Sequence, residues 1–254
     1  MFNLLYRSMF PIAGLIGILV VWQAYVEYCN VASVVLPSPL AIFEASVEYC
    51  PELMRNTWPT LVECLLGFAL AIGVGIPLAV ILSSSRVLNL TLYPILIALQ
   101  SVPKVAVAPI ILVWFGFGIE SKLAIAFLVA FFPIVVDTTA GLRSTPLGFL
   151  ELAKSLRASR FQVFLKVQLP AALPFVFAGA KVAVTLTVIG AVIGEFVGSD
   201  AGLGNLLLTA NSQLNGPLAW AALVWLSVLG MALFMLVAAA EWLFMPWARN
   251  SPGH

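Results

Sequence analysis

Six long apolar runs, separated by short polar stretches, constrain this chain more than any other feature. They fall at approximately 9–26, 60–82, 90–115, 123–142, 173–193 and 218–244. About 20 consecutive apolar residues is the length at which a helix crosses a hydrocarbon core. In lipid every backbone N–H and C=O must find its partner within the protein, so such runs become helices rather than loops. Composition agrees: 62% of the residues are apolar and 9% charged, against roughly half and a quarter in soluble domains. The predicted fold class is all-α, a polytopic helical membrane protein of about six transmembrane helices forming one domain over residues 1–254.

The run at 9–26 is longer than the apolar core of a cleavable signal and lacks a convincing cleavage site, so it reads as a retained first helix. Residues 38–56 mix Glu44, Glu48, Glu52 and Arg55 with Ile42, Phe43, Val47 and Leu53. That mixture is too polar to span and suits a helix lying at the interface. Orientation follows from the basic residues, because loops rich in Lys and Arg stay cytoplasmic. One orientation gathers Arg7, Arg86, Arg143, Lys154, Arg157, Arg160, Lys166 and Arg249 on one side and leaves Arg55 and Lys122 on the other. Both termini are therefore predicted to be cytoplasmic.

Several function classes drop out. A formal net charge of +1 gives no basic surplus for nucleic acid. The single histidine, His254, and Cys29, Cys50 and Cys64 lack the paired spacing of zinc or iron–sulfur ligands. No G-x-x-x-x-G-K-[ST] loop is present to hold ATP, and no H-E-x-x-H supports an intramembrane hydrolase. Cys29 and Cys50 both face outward in this topology, where either a disulfide or two free thiols are compatible with their spacing.

The polar stretch at approximately 143–170 is the longest in the chain and carries a helical pattern. Leu152 and Leu156 stand at i and i+4, as do Phe161 and Leu165, with Glu151, Lys154, Arg157 and Arg160 on the polar side. A short amphipathic cytoplasmic helix ending before Pro170 is predicted. Two readings fit it: a basic helix lying on anionic lipid, or a docking helix whose apolar side chains enter a groove on a cytosolic partner.

The same stretch resembles the EAA loop of bacterial ABC-type import permeases, whose pattern is Glu-Ala-Ala, three residues, Gly, nine residues, Ile or Val, any residue, Leu-Pro. Glu151, Ala153, Val167, Leu169 and Pro170 occupy the pattern's positions, while Leu152 replaces an Ala and Arg157 replaces the Gly. In the family that Gly separates two short helices. Leu36-Pro37-Ser38-Pro39, Pro109 with Trp114 to Gly118, and Gly194-Glu195 followed by Gly202-Leu203-Gly204 are also similar to the subgroup importing nitrate, taurine, sulfonates and vitamin precursors such as thiamine pyrimidines or riboflavin.

The resemblance implies the ABC importer type I permease fold, a multi-pass protein of the bacterial inner membrane. It implies two permease chains, the second taken as a copy of this one. Two cytosolic ATP-binding subunits would carry ATP and Mg²⁺, with no cofactor on this chain, and a periplasmic or lipid-anchored binding protein would deliver solute. The docking loop would comprise Glu151, Leu152, Ala153, Leu156, Arg157, Ala158, Phe161, Phe164, Leu169 and Pro170.

Two further residues are candidates for the solute path or a gate. Lys104, after Pro103, is a charge inside or near a span: either it meets an anionic solute, or Pro103 breaks the span and Lys104 snorkels or pairs internally. Glu195, at the outer end of the fifth run, either contributes to a gate or to a contact with the binding protein, or is a helix-end carboxylate exposed to water. Asp137 is expected to be a structural partner of a Lys or Arg. A carrier coupled to ions or protons is the competing function, and it would need such intramembrane acids.

Overall fold

The computed structural model describes residues 2–247, and Arg249 and His254 lie outside them. The described chain is a bundle of helices. In order they are α1 Phe2–Tyr28, α2 Pro39–Glu48, α3 Cys50–Ser84, α4 Arg86–Gln100, α5 Lys104–Phe115, α6 Ile119–Arg143, α7 Leu147–Ser155, α8 Arg160–Val163, α9 Leu169–Gly198, α10 Leu203–Ser212 and α11 Gly216–Phe244. Four helical segments among the described residues are long and apolar enough to cross a membrane: 50–84, 119–143, 160–198 and 216–244.

The polar segment at 38–56 is not one interfacial helix. It divides at Tyr49. Ser38 caps α2, its Oγ accepting from the Ala41 N–H at 3.2 Å, and Pro39 sits in the first turn, where a missing N–H is harmless. The second half begins α3, which runs unbroken for 35 residues.

The run at 90–115 is likewise not one straight helix. It breaks at residues 101–103, and α4 and α5 meet at 97°. Pro103 has no N–H to give the ladder and pushes the residue before it out of the helical region. The carbonyl of Gln100 left at the end of α4 is taken by the Lys104 ammonium at 2.8 Å.

Helices α3, α6 and α9 form the centre, with α6 between the other two. Ala126 of α6 lies where both neighbours come close. A Cβ on Gly67 of α3 would lie 2.6 Å from the Ala126 Cβ, and one on Gly190 of α9 would lie 2.6 Å from the Ala126 Cα. In lipid, where hydrocarbon solvates apolar side chains as well as protein does, such close backbone packing is a main source of helix association. Helix α1 joins at the periphery through Trp22, whose ring lies 5.5 Å from that of Trp220.

Candidate functional site: the basic loop, the broken helix and a buried polar knot

The loop at 143–170 folds into two helices with a break between them. At the end of α7, Arg157 donates its N–H to Lys154 O at 2.9 Å and Ala158 donates to Ala153 O at 3.0 Å. This is the Schellman arrangement, which places one residue in left-handed conformation. That residue is Arg157, with φ +53°, at the position where the loop pattern carries Gly. The break survives the substitution because the reversal is held by two hydrogen bonds, although an L side chain there is strained.

Beyond the break, Ser159 and Gln162 form a capping box. The Gln162 N–H reaches Ser159 Oγ at 3.3 Å, and the Ser159 N–H reaches Gln162 Oε1 at 2.9 Å. The signal was present in Ser159-Arg160-Phe161-Gln162 and escaped the sequence reading. The helix then does not end before Pro170. It widens into a π-helical turn over Phe164–Gln168, with the Leu169 N–H bonding Phe164 O, and continues into α9. The wider turn accommodates a proline that lacks an N–H and crowds the preceding carbonyl. Residues 160–198 thus form one 39-residue helix from loop to span.

Apolar side chains of this loop stand in the open. Leu156 is 73% exposed and Phe161 71%, and Leu147, Phe149, Leu152 and Leu165 are exposed with them. Glu151, Lys154, Arg157 and Arg160 are exposed around them. Ala153 is buried, while Ala158, Phe164, Leu169 and Pro170 are half-buried.

Between the corner of α4 and α5 and the facing sides of α6 and α9 lies a cavity of about 270 Å³, lined by Gln100, Lys104, Val105, Phe132, Leu186 and Ile189 among others. Lys104 is half-buried there, with its ammonium 5.6 Å from the centre of the Phe132 ring. The ion pairs among the described residues are Lys122–Glu63 and Lys181–Glu241. Lys104 is in neither. Asp137 is also in neither, so the expected partnership with a Lys or Arg is absent; it sits half-buried against Gly179.

Glu195 is not a water-exposed helix-end carboxylate: it is 1% exposed. It belongs to a buried polar knot that satisfies the start of α10. Three consecutive N–H groups at that end need partners. Gly202 donates to Asn56 Oδ1 at 3.0 Å, Leu203 to Thr60 Oγ1 at 2.9 Å and Gly204 to Glu195 Oε2 at 2.5 Å. The Thr60 hydroxyl in turn donates to Glu195 Oε1 at 2.6 Å. Gly202 has φ +114°, and a Cβ there would lie 2.1 Å from Glu195 Oε1, so only glycine fits.

Beside this knot, Lys122 of α6 pairs with Glu63 of α3 and donates to Ser199 Oγ at 2.6 Å. Glu63 was missed by the sequence reading, although an acid inside an apolar run is itself a signal. Lys122, one residue before the apolar run at 123–142, lies within α6. Cys29, Cys50 and Cys64 are free thiols.

Known proteins resemble this chain in sequence and in fold. The chain is 34% identical to the formylaminopyrimidine transport permease protein of Halalkalibacterium halodurans, over 96% of this chain and 98% of that one. It is 36% identical to the riboflavin transport system permease protein of Chloroflexus aurantiacus, over 92% of this chain and 88% of that one. Its fold resembles a chain of the MetNI methionine ABC transporter in an inward-facing conformation, with a TM-score of 0.61, 22% identity and coverage of 76% and 97%. Residues 71–241 match the family described as binding-protein-dependent transport system inner membrane component. The chain belongs to that family and is a permease subunit of an ABC importer, a multi-pass protein of the inner membrane.

Proposed function

We propose that this permease is driven by a cytosolic ATP-binding subunit that docks on the exposed apolar side chains of the 147–165 loop. The observation that carries this reading is the placement of Leu152, Leu156 and Phe161 in the open beside Lys154, Arg157 and Arg160. Large apolar side chains ringed by charge mark an interaction surface, and aromatic and aliphatic anchors dominate such interfaces. The unbroken helix 160–198 supplies the coupling. A rigid element moved at Phe161 moves α9, so closure of the ATPase dimer biases the bundle between two arrangements of access.

The chain works with a second permease chain, a copy of itself, and with an external binding protein that delivers solute. The solute belongs to the range of small organic anions and vitamin precursors. Glu195 has both carboxylate oxygens engaged, by Thr60 and Gly204, while Glu63 pairs with Lys122 through Oε1. Glu195 thus serves as a structural anchor of α10, which weighs against its use by a self-sufficient carrier.

The test is to tag the chain, extract it in mild detergent and identify its partners by mass spectrometry. An ATP-binding subunit should co-purify and be lost on Phe161→Ala or Leu156→Ala. Recovery of the chain alone from membranes that still transport would overturn the reading.

A further inference from the structure

We propose that the cavity beside the corner of α4 and α5 is where solute meets this chain, and that its occupant is a small organic molecule presenting an oxygen acceptor to Lys104. The inference rests on the importer reading above and names the class of solute. At about 270 Å³ the cavity lies just below the roughly 300–1,000 Å³ of sites for drug-sized ligands. Its polar groups are Gln100 and Lys104, and the remaining wall is apolar, including Val105, Val129, Leu186 and Ile189.

That wall discriminates. An inorganic oxyanion such as nitrate has only polar surface, and entering an apolar cavity strips its hydration without replacing it on most sides. A ring or short alkyl body gains from the same wall. Lys104 supplies the direction. An ammonium has three N–H donors; one goes to Gln100 O, and no carboxylate forms an ion pair with it among the described residues. The centre of the Phe132 ring lies 5.6 Å from the ammonium on one side; a half-buried cation without a carboxylate partner is still under-compensated, and a solute oxygen on its open side relieves that. The break in the helix is what brings Lys104 there, since it starts α5 at the corner instead of continuing α4.

The transporter complex in proteoliposomes tests this, with Cys29 and Cys50 changed to Ser and Val105→Cys added as a reporter on the cavity wall; Cys64 is buried. Formylaminopyrimidine and ethanesulfonate are the organic probes and nitrate is the inorganic one. An organic probe whose uptake depends on ATP should slow maleimide labelling of residue 105 by about tenfold or more. Lys104→Met should abolish that protection and Lys104→Arg should retain it, in line with the loss of a hydrogen bond to a charged group. ATP-driven uptake of an organic probe with no protection of residue 105 would overturn the cavity and leave the importer reading standing. Protection by nitrate alone would overturn the solute class. Uptake that ignores ATP would instead overturn the importer reading.

Discussion

Lys122 Nζ of α6 lies 3.1 Å from Glu63 Oε1 of α3, an ion pair in which Glu63 is 1% exposed. It joins two of the three central helices at the end where α10 begins. Because Glu63 is buried and the Lys122 side chain is 12% exposed, the pair is worth little against an apolar replacement and a great deal against the loss of one partner.

Removing one charge therefore does more harm than removing both. Glu63→Leu or Lys122→Leu should lower stability by about 3–5 kcal/mol, read as a fall in the melting temperature of the purified permease in detergent. The double Leu variant should recover most of the loss. Equal loss in single and double variants would show that the pair carries no uncompensated charge.

Thr60 links α3 to both α9 and α10, accepting from Leu203 and donating to Glu195. Thr60→Val keeps the shape and removes both bonds, so a loss of about 1–3 kcal/mol is expected. Thr60→Ser should sit near the native value. Hydrogen exchange should show faster exchange at the Leu203 amide in Thr60→Val, and an unchanged rate there would count against the knot.

The contact at Ala126 makes an asymmetric prediction. Gly67→Ala and Gly190→Ala should each destabilise by about 1–3 kcal/mol through overpacking. Ala126→Gly should rescue the first, since its clash is with the Ala126 Cβ, and fail to rescue the second, whose clash is with the Ala126 Cα. A double-mutant cycle on thermal stability measures this, and rescue of both would refute the geometry.

Arg157 holds a left-handed backbone that costs an L residue roughly 1–2 kcal/mol. Arg157→Gly should remove up to about 1 kcal/mol of that strain and slow hydrogen exchange in the loop. Arg157→Pro cannot reach φ +53° and has no N–H for Lys154 O. If the loop docks an ATP-binding subunit as proposed, Arg157→Pro should lose it in co-purification while the spans still insert.

The loop shows how far sequence reaches. Its apolar spacing was legible because helical periodicity is local, and its break was obscured because Arg157 stands where Gly signals one. The structure makes the break through two hydrogen bonds between backbone groups, and the side-chain signal beside it is the capping box of Ser159 and Gln162. Pro170 misled in the opposite direction: it reads as a stop, yet a helix that can widen by one residue passes through it. Glu195 was visible, but its burial depended on residues 135 positions away, as with Thr60.

Apolar run length and the placement of Lys and Arg determined by themselves that this chain is a membrane-spanning helical protein, with the loop at 143–170 on the side that holds most of the positive charge. Those are properties of segments in a solvent, and each segment carries its own. The tertiary structure alone decided that the run at 90–115 turns a corner at Pro103, that Lys104 faces a cavity, and that Glu63 and Glu195 are anchors in the bundle. Each of those depends on which backbones approach closely enough to exclude water, and that follows from small residues such as Gly67, Ala126 and Gly190 meeting across three helices.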